Sequence, residues 1–307
     1  LRKWHINEGV IGISLLFFVS GYLFALAVQT KQKRYLLRRF VRLYPSYILS
    51  VIILILVRNI WGNGVPNSPI NLLFHICMIP DIMKANPLDP VLWTLWVQIH
   101  FYISYFLVFR KKPITFQNLV LLSLIVCGIT IVAQQTRLEK LPGFIGGLSQ
   151  VLSSNGIYFL FTSLGIVAYM HNARKWTNKQ ALLILSVIYG LFLIAAMTGE
   201  TYGLRDEVLV SFSLGALVVV IIYVIRNAIK ENKILIILSA ATFPLYLLHR
   251  GLGIALYPTL ITKGLSYWEA LFTICVVLVG LALSINYIED RIKHKLHKLL
   301  MTEEPLL

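Results

Sequence analysis

The sequence predicts an all-α membrane protein, a bundle of helices that crosses a lipid bilayer many times. Hydrophobic residues make up 58% of the 307 residues, and only 13% are charged. Soluble domains have about 25% charged residues, so this chain has too little charge to cover a water-exposed surface. Its apolar residues also occur in runs, such as 10–28 and 208–225, that are about as long as the ~20 residues needed to span a bilayer.

Nine apolar stretches predict nine membrane-spanning helices within a single domain, residues 1–307. The stretches are 10–29, 44–60, 91–109, 117–135, 151–170, 180–198, 207–226, 234–257 and 268–289. Residues 70–79 are apolar but too few to span, which indicates a re-entrant or interfacial segment. Residues 290–307 contain near their start the basic amphipathic string RIKHKLHKLL, residues 291–300, which is typical of a cytoplasmic tail on an anionic membrane surface.

The net charge of +15 comes largely from clusters of basic residues in alternate loops. The clusters are at 31–42, 110–112, 174–179, 226–233 and 291–298. In a soluble domain such a charge could indicate nucleic-acid binding. Here the clusters separate apolar spans, as in the cytoplasmic loops of membrane proteins, so the partner we expect is the lipid bilayer and not a nucleic acid. The same rule places residue 1 outside and the C-terminus in the cytoplasm.

An outside N-terminus requires that residues 1–9 be carried across the membrane, although they contain no signal sequence. The sequence also begins with Leu1 rather than Met. We therefore expect a tenth helix, running from inside to outside, before residue 1; a protein of nine spans is the alternative. Cys77, Cys127 and Cys275 are far apart, so neither a disulfide framework nor a metal site is expected.

Polar side chains within or beside apolar spans are costly, and each is therefore a candidate functional residue. Arg39 and Arg42 are three residues apart before the second span. If that segment is helical, both guanidinium groups lie on one face. They then form a clamp suited to phosphates, which arginine binds with two parallel hydrogen bonds. The alternative is a topology signal that only holds the loop inside.

Two further pairs lie within the third and eighth spans. Gln98 and His100 belong to WTLWVQIHFY, residues 93–102; facing inward they would bind a hydroxylated substrate, and otherwise Gln98 makes a helix–helix hydrogen bond and His100 is packed. The second pair, His249 and Arg250, are neighbours in the sequence. A neutral imidazole beside a cation in a wet cavity suits a general base, with a structural role for His249 as the alternative.

Two more titratable residues lie near the ends of spans. Glu289 lies beside Asp290 and Arg291, where it could pair with the loop arginines and set their geometry. The alternative is an ordinary ion pair at the end of a helix, which would stabilise the protein little. His5 lies before the first span beside Glu8, where a lone histidine is usually solvated.

Five strings in the sequence resemble, in the same order, integral-membrane acyltransferase family 3. They are FFVSGYLF at 17–24, RRFVRLYPSY at 38–47, WTLWVQIHFY at 93–102, FPLYLLH at 243–249 and NYIEDR at 286–291. From the first string to the last they extend over nearly the whole chain. The resemblance implies ten membrane helices in a bacterial inner membrane, and O-acetylation of sugars in lipopolysaccharide, exopolysaccharide or peptidoglycan.

The resemblance also implies roles for individual residues. Arg39 and Arg42 match the paired arginines thought to bind acyl-CoA, and His249 matches the YLxH element as a catalytic candidate. Acceptor binding is expected of Trp93, Gln98, His100, Tyr246 and Arg250, and structural roles of Ser20, Gly21, Tyr22 and Glu289. The chain departs from the family in having Gln98 where many members have Glu, and in lacking Arg-Pro or Lys-Pro after its acidic residue Glu289. The family's catalytic histidine belongs to the expected upstream helix; His5 is its counterpart only if that helix ends just before residue 1.

The predicted function is therefore that of a membrane-bound O-acyltransferase. It would move an acyl group, expected to be acetyl, from cytoplasmic acyl-CoA to a hydroxyl of a cell-surface or lipid-linked glycan. Acyl-CoA is then a donor substrate, and no permanently bound cofactor is expected. Two alternatives remain: a transporter or flippase for a lipid-linked glycan, and a scaffold without activity. The sequence leaves the oligomeric state open.

Overall fold

A computed structural model describes residues 6–30, 34–60, 68–80, 82–85, 88–110, 113–136, 138–198, 205–226, 228 and 232–300. Over these residues the secondary structure is entirely helical, with ten α-helices and two 3₁₀ turns, Pro90–Leu92 and Leu138–Lys140. The helices are α1 (Glu8–Gln29), α2 (Tyr35–Ile60), α3 (Pro69–Ile76), α4 (Trp93–Phe109), α5 (Phe116–Thr136), α6 (Gly143–Asn172), α7 (Asn178–Thr198), α8 (Arg205–Ile225), α9 (Lys233–Thr262) and α10 (Tyr267–Leu300).

The predicted all-α membrane fold is confirmed, and each of the nine apolar stretches coincides with a helix. Six helices are long and apolar enough to cross a membrane, namely α1, α2, α5, α7, α9 and α10. Helix α6 is a seventh if its two parts, which meet at 47°, are one span. Helix α4 and the apolar part of α8, Leu209–Ile225, are shorter. Nine crossings therefore remain a prediction.

Four helix ends differ from the predicted boundaries by five residues or more. Helix α6 begins at Gly143 rather than at residue 151, and α9 continues to Thr262 beyond residue 257. Helix α2 begins at Tyr35 rather than at residue 44, and α10 continues to Leu300 beyond residue 289. Hydropathy detects only the apolar part of a helix, whereas arginine and lysine are good helix formers and extend it into polar surroundings. The string RRFVRLYPSY is therefore helical, with Pro45 inside the helix.

The described residues fall into two compact units, and the first contains α1 and α4 to α8. In this unit α1 packs closely on α6. A Cβ atom at Gly21 would overlap the carbonyl oxygen of Thr162 on α6, and a Cβ at Gly165 would overlap the carbonyl oxygen of Phe18 on α1. Small residues permit this close approach of membrane helices. The two glycines therefore let the backbones of α1 and α6 touch.

Aromatic side chains fill the first unit beside this contact. Phe24 of α1 lies edge-on to Phe101 and Tyr105 of α4, with ring centres 5.5 and 5.8 Å apart. The Tyr105 hydroxyl lies 2.6 Å from the hydroxyl of Ser163 on α6. A buried tyrosine needs such a partner for its polar end.

The second unit contains α2, α3, α9 and α10 together with the 3₁₀ turn Pro90–Leu92. Helix α2 packs against both α9 and α10. The Tyr47 hydroxyl donates to the carbonyl of His75 at 2.6 Å, and the Tyr44 hydroxyl donates to that of Ile76 at 3.1 Å. The end of α3 thus lies beside the middle of α2, and whether the segment is re-entrant or interfacial remains a prediction.

We expect Gly21→Ala to lower the midpoint of thermal unfolding of the purified protein in detergent. The added methyl group collides with backbone, which cannot move aside as a side chain can, and overpacking costs about 1–3 kcal/mol. Gly12→Ala on the same helix is the matched control, because nothing lies within 4 Å of its Cβ position. That change should leave the midpoint equal or higher, since alanine favours helices. Equal midpoints for the two variants would contradict the close contact.

Candidate functional site

The two predicted donor arginines lie near the start of α2. The helix begins at Tyr35, so Arg39 and Arg42 are within its first turns and share one face. The Arg39 Nε donates to the Tyr35 hydroxyl at 3.3 Å, and its guanidinium carbon lies 5.3 Å from the centre of the Tyr35 ring. Arg42 is exposed. The helical condition for a phosphate clamp is therefore met, and the positive end of the helix dipole adds to its attraction for anions.

Glu289 of α10 forms a hydrogen bond with the same part of α2. The Ser46 hydroxyl donates a hydrogen bond to Glu289 Oε2, and both residues are buried. Ser46 follows Arg42 by one turn of α2. A buried carboxylate is costly unless it is hydrogen-bonded, so the Ser46 hydroxyl offsets part of the cost of burying Glu289 where α10 packs on α2.

A buried carboxylate that sequence analysis missed, Asp89, lies between α2 and α9. Only 3% of Asp89 is exposed. Its Oδ1 accepts the N–H of Val91 at 2.9 Å and caps the 3₁₀ turn. The neighbouring segment is held to α2, because Arg58 Nη1 donates to the Leu88 carbonyl at 2.6 Å. The Asp-Pro pair is a sequence signal for a cap, but it gives no sign of burial.

Gly251 allows Asp89 to approach α9. A Cβ atom at Gly251 would lie 2.5 Å from Asp89 Oδ2 and would overlap the Leu54 side chain of α2. Asp89 Oδ2 is itself buried, with no partner in hydrogen-bonding geometry among the described residues. Burial raises the pKa of the Asp89 carboxyl, and the Val91 N–H, the charges of Arg250 and His249 and the nearby Gly251 N–H, which is outside hydrogen-bonding geometry, lower it by less. The buried position of the carboxyl thus favours its protonated form more than water would.

His249 and Arg250 are the predicted site residues nearest to this carboxyl, and both are exposed on α9. The His249 Nδ1 lies 2.6 Å from the carbonyl of Tyr246. Because a carbonyl only accepts, Nδ1 carries the hydrogen in the neutral ring, and Nε2 keeps a lone pair. A neutral His249 ring in this position therefore leaves Nε2 as the nitrogen that can accept a proton. Tyr246 contributes its backbone carbonyl to this arrangement.

The predicted site residues in the first unit mainly make contacts between helices. Gln98 is buried, and its Nε2 donates to the hydroxyl of Ser20 on α1 at 2.9 Å. This is the helix–helix bond that the sequence left open as the alternative for Gln98. The Tyr22 hydroxyl accepts from Asn172 Nδ2 at 2.9 Å. Ser20, Gly21 and Tyr22 thus each contact another helix. Such contacts are expected of residues that pack helices against each other.

The remaining predicted residues are placed as follows. His100 Nδ1 lies 2.9 Å from the Trp96 carbonyl, and its ring stacks on the Trp96 ring with centres 4.6 Å apart. Trp93 is the first residue of α4 and is partly buried. His5 lies outside the described residues. Within those residues, no group of three or more His, Cys, Asp or Glu is arranged to hold a metal ion. The roles predicted for the site residues remain predictions.

Comparison with known proteins is consistent with this helical architecture. Residues 5–287 match the sequence model of the acyltransferase 3 family, described as an acyltransferase domain. A protein of Acidianus two-tailed virus, named "Putative acetyltransferase ORF330", is 25% identical over 257 residues, which are 79% of this chain and 73% of the viral protein. No solved structure matches the chain. Because the family match covers nearly the whole sequence, this multi-pass helical membrane protein belongs to the acyltransferase 3 family and is an acyltransferase.

Proposed function

We propose that this enzyme transfers an acyl group, acetyl in the first instance, from cytoplasmic acyl-CoA to a hydroxyl of a cell-surface or lipid-linked glycan. The proposed setting is a bacterial inner membrane with the C-terminus in the cytoplasm, as the basic loops suggest. The observation that carries the proposal is that one unit holds both a basic helix end, at Arg39 and Arg42, and a proton-accepting group, at Asp89 and His249.

These two places are separated along α2. Arg39 and Leu54 are on the same helix, and Leu54 lies beside Gly251 of α9. Fifteen residues of α-helix correspond to ~22 Å. Phosphates bound at Arg39 and Arg42 would thus lie on one side of the membrane while the acceptor reacts deeper in the protein. The donor's extended arm, or a step that moves the acyl group, would bridge the distance.

The proposed chemical step uses His249 as the general base. Its Nε2 takes the proton of the acceptor hydroxyl while the oxygen attacks the thioester carbonyl. The carbon–sulfur bond then breaks, and the CoA thiolate leaves and takes up a proton. The Asp89 carboxylate, close enough to sense the charge of His249, would stabilise the imidazolium. General-base catalysis of this type contributes about 10²- to 10⁴-fold in rate.

Replacing both Arg39 and Arg42 with alanine should abolish acyl transfer at ordinary donor concentrations. Each charge-assisted hydrogen bond is worth about 1.5–3 kcal/mol, so each single variant should raise the KM for acetyl-CoA about 10- to 100-fold. The measurement is transfer of label from acetyl-CoA to glycan in membranes of known protein content. Arg110→Ala, which removes an exposed cation at the end of α4, is the control and should be active. Full activity of the double variant would disprove the donor assignment.

His249→Gln should lower kcat about 10²- to 10⁴-fold with little change in the KM for acetyl-CoA, because a base is lost while donor contacts remain. His100→Gln is the matched variant, since its ring is held by the same Nδ1-to-carbonyl contact. It should act mainly on acceptor KM. A normal kcat for His249→Gln would eliminate His249 as the base. Movement of unlabelled glycan without acetylation would instead identify a transporter.

Asp89→Asn should make the protein more stable at neutral pH and flatten its pH dependence. The folded-state pKa of Asp89 is raised, so the native form binds the proton more tightly than the unfolded chain does. Its stabilising contribution is complete below the ordinary carboxyl pKa and is lost as pH rises through the folded pKa. Asparagine keeps the cap to Val91 without the buried charge. Thermal unfolding from about pH 4, near the ordinary carboxyl pKa, to pH 8 tests this; a steeper or unchanged slope in the variant would contradict it.

A further inference from the structure

A polar cavity of about 340 Å³ lies in the first unit, where α6 ends, α7 begins and α8 ends. None of its described lining residues is used by the proposed mechanism. Three of its lining side chains are cations, Arg174, Lys175 and Arg226, and no Asp or Glu is among the described residues that line it. An uncompensated cluster of this kind attracts an anion.

Neutral groups hold the side chain of Arg226, one of the cations that line this basic cavity. Arg226 Nη2 donates to Asn172 Oδ1 at 3.3 Å, and Nη1 donates to the carbonyl of Tyr223. The guanidinium carbon lies 4.0 Å from the centre of the Tyr223 ring. His171 in turn contacts the Tyr223 hydroxyl at 2.8 Å. These partners orient Arg226 without neutralising its charge, so its remaining N–H groups are available to an anion.

An apolar groove of about 180 Å³ starts at the same Tyr223 and Arg226. It continues between α1 and α8 over apolar side chains that include Leu15, Val19 and Ile222. From Tyr22 to Leu15 the groove follows α1 for ~10 Å. Both helices are predicted to span the membrane, so the groove extends from the basic cavity along the part of the protein that contacts acyl chains.

We propose that the basic cavity and the apolar groove together bind one anionic phospholipid. The lipid phosphate lies against Arg174, Lys175 and Arg226, and an acyl chain fills the groove between α1 and α8. Basic pockets between membrane helices on the cytoplasmic side recognise anionic head groups in this way. A free phosphate would leave the groove empty, and the proposed acyl-CoA phosphate site is in the other unit. The assignment is therefore independent of the proposed catalytic step.

Arg174 offers a variant that separates binding from folding. It ends α6 with a φ of 54°, a left-handed conformation that glycine usually adopts at this position of a helix end. Arg174→Gly therefore removes a cation from the cavity while relieving the backbone. We expect this variant to be at least as stable as the parent protein and yet to bind the lipid less tightly.

The test titrates the purified protein, in a neutral detergent, with dioleoyl phosphatidylglycerol and counts bound lipids by native mass spectrometry. Each cation near a membrane surface contributes enough to change affinity about fivefold, so Arg226→Ala and Arg174→Gly should each weaken binding by about that factor. Lys179→Ala is the matched control, because Lys179 is exposed on the adjacent turn of α7 and does not line the cavity. It should bind as the parent does.

Three comparison ligands distinguish the sources of the anion. Dioleoyl phosphatidylcholine and glycerol 3-phosphate should bind at least tenfold more weakly than phosphatidylglycerol, since one lacks net charge and the other lacks the chain. Acetyl-CoA should not displace the lipid. The proposal is overturned if either weak ligand binds equally well, if acetyl-CoA competes through Arg226, or if Lys179→Ala weakens binding as much as Arg226→Ala.

Discussion

The requirement that every polar group find a partner inside an apolar protein governs the described structure. Lipid offers no hydrogen bonds, so an unsatisfied group costs several kcal/mol. Gln98 meets this requirement through Ser20, Tyr105 through Ser163, and Glu289 through Ser46. Each bond joins two helices, and helices therefore pack where polar partners and small residues permit. The backbone contact of α1 with α6 at Gly21 is the clearest example.

Asp89 is one of several described residues that have a buried side-chain atom outside this pattern. One of its carboxylate oxygens caps a turn, while the other is buried against Gly251 without a hydrogen-bonding partner among the described residues. Stability alone would favour an amide or an apolar side chain there. A carboxyl with a raised pKa beside His249 and Arg250 is instead typical of a site that handles protons, which an acyltransferase needs when it activates a hydroxyl.

The helices were largely predictable, and the contacts of the site were not. Hydropathy and span length depend only on neighbouring residues, so each predicted span coincides with a helix. The start of α2 at Tyr35 was missed, because its first turns are basic and look like a loop. Asp89 was missed for another reason: its neighbours Leu54 and Gly251 are distant in sequence. The structure also gives Gln98 a helix partner, Ser20, that no local pattern identifies.

The sequence by itself determined the all-α membrane class, the family and the positions of the arginine and histidine motifs. The length of each apolar run and the order of the motifs are properties of the linear chain, so they can be recognised without knowing how the helices pack. Only the tertiary structure decided which polar side chains are already satisfied between helices and which face a cavity or lie buried without a partner. That distinction depends on helices brought together from distant parts of the chain, as Asp89 with Gly251 and Arg174 with Arg226 show.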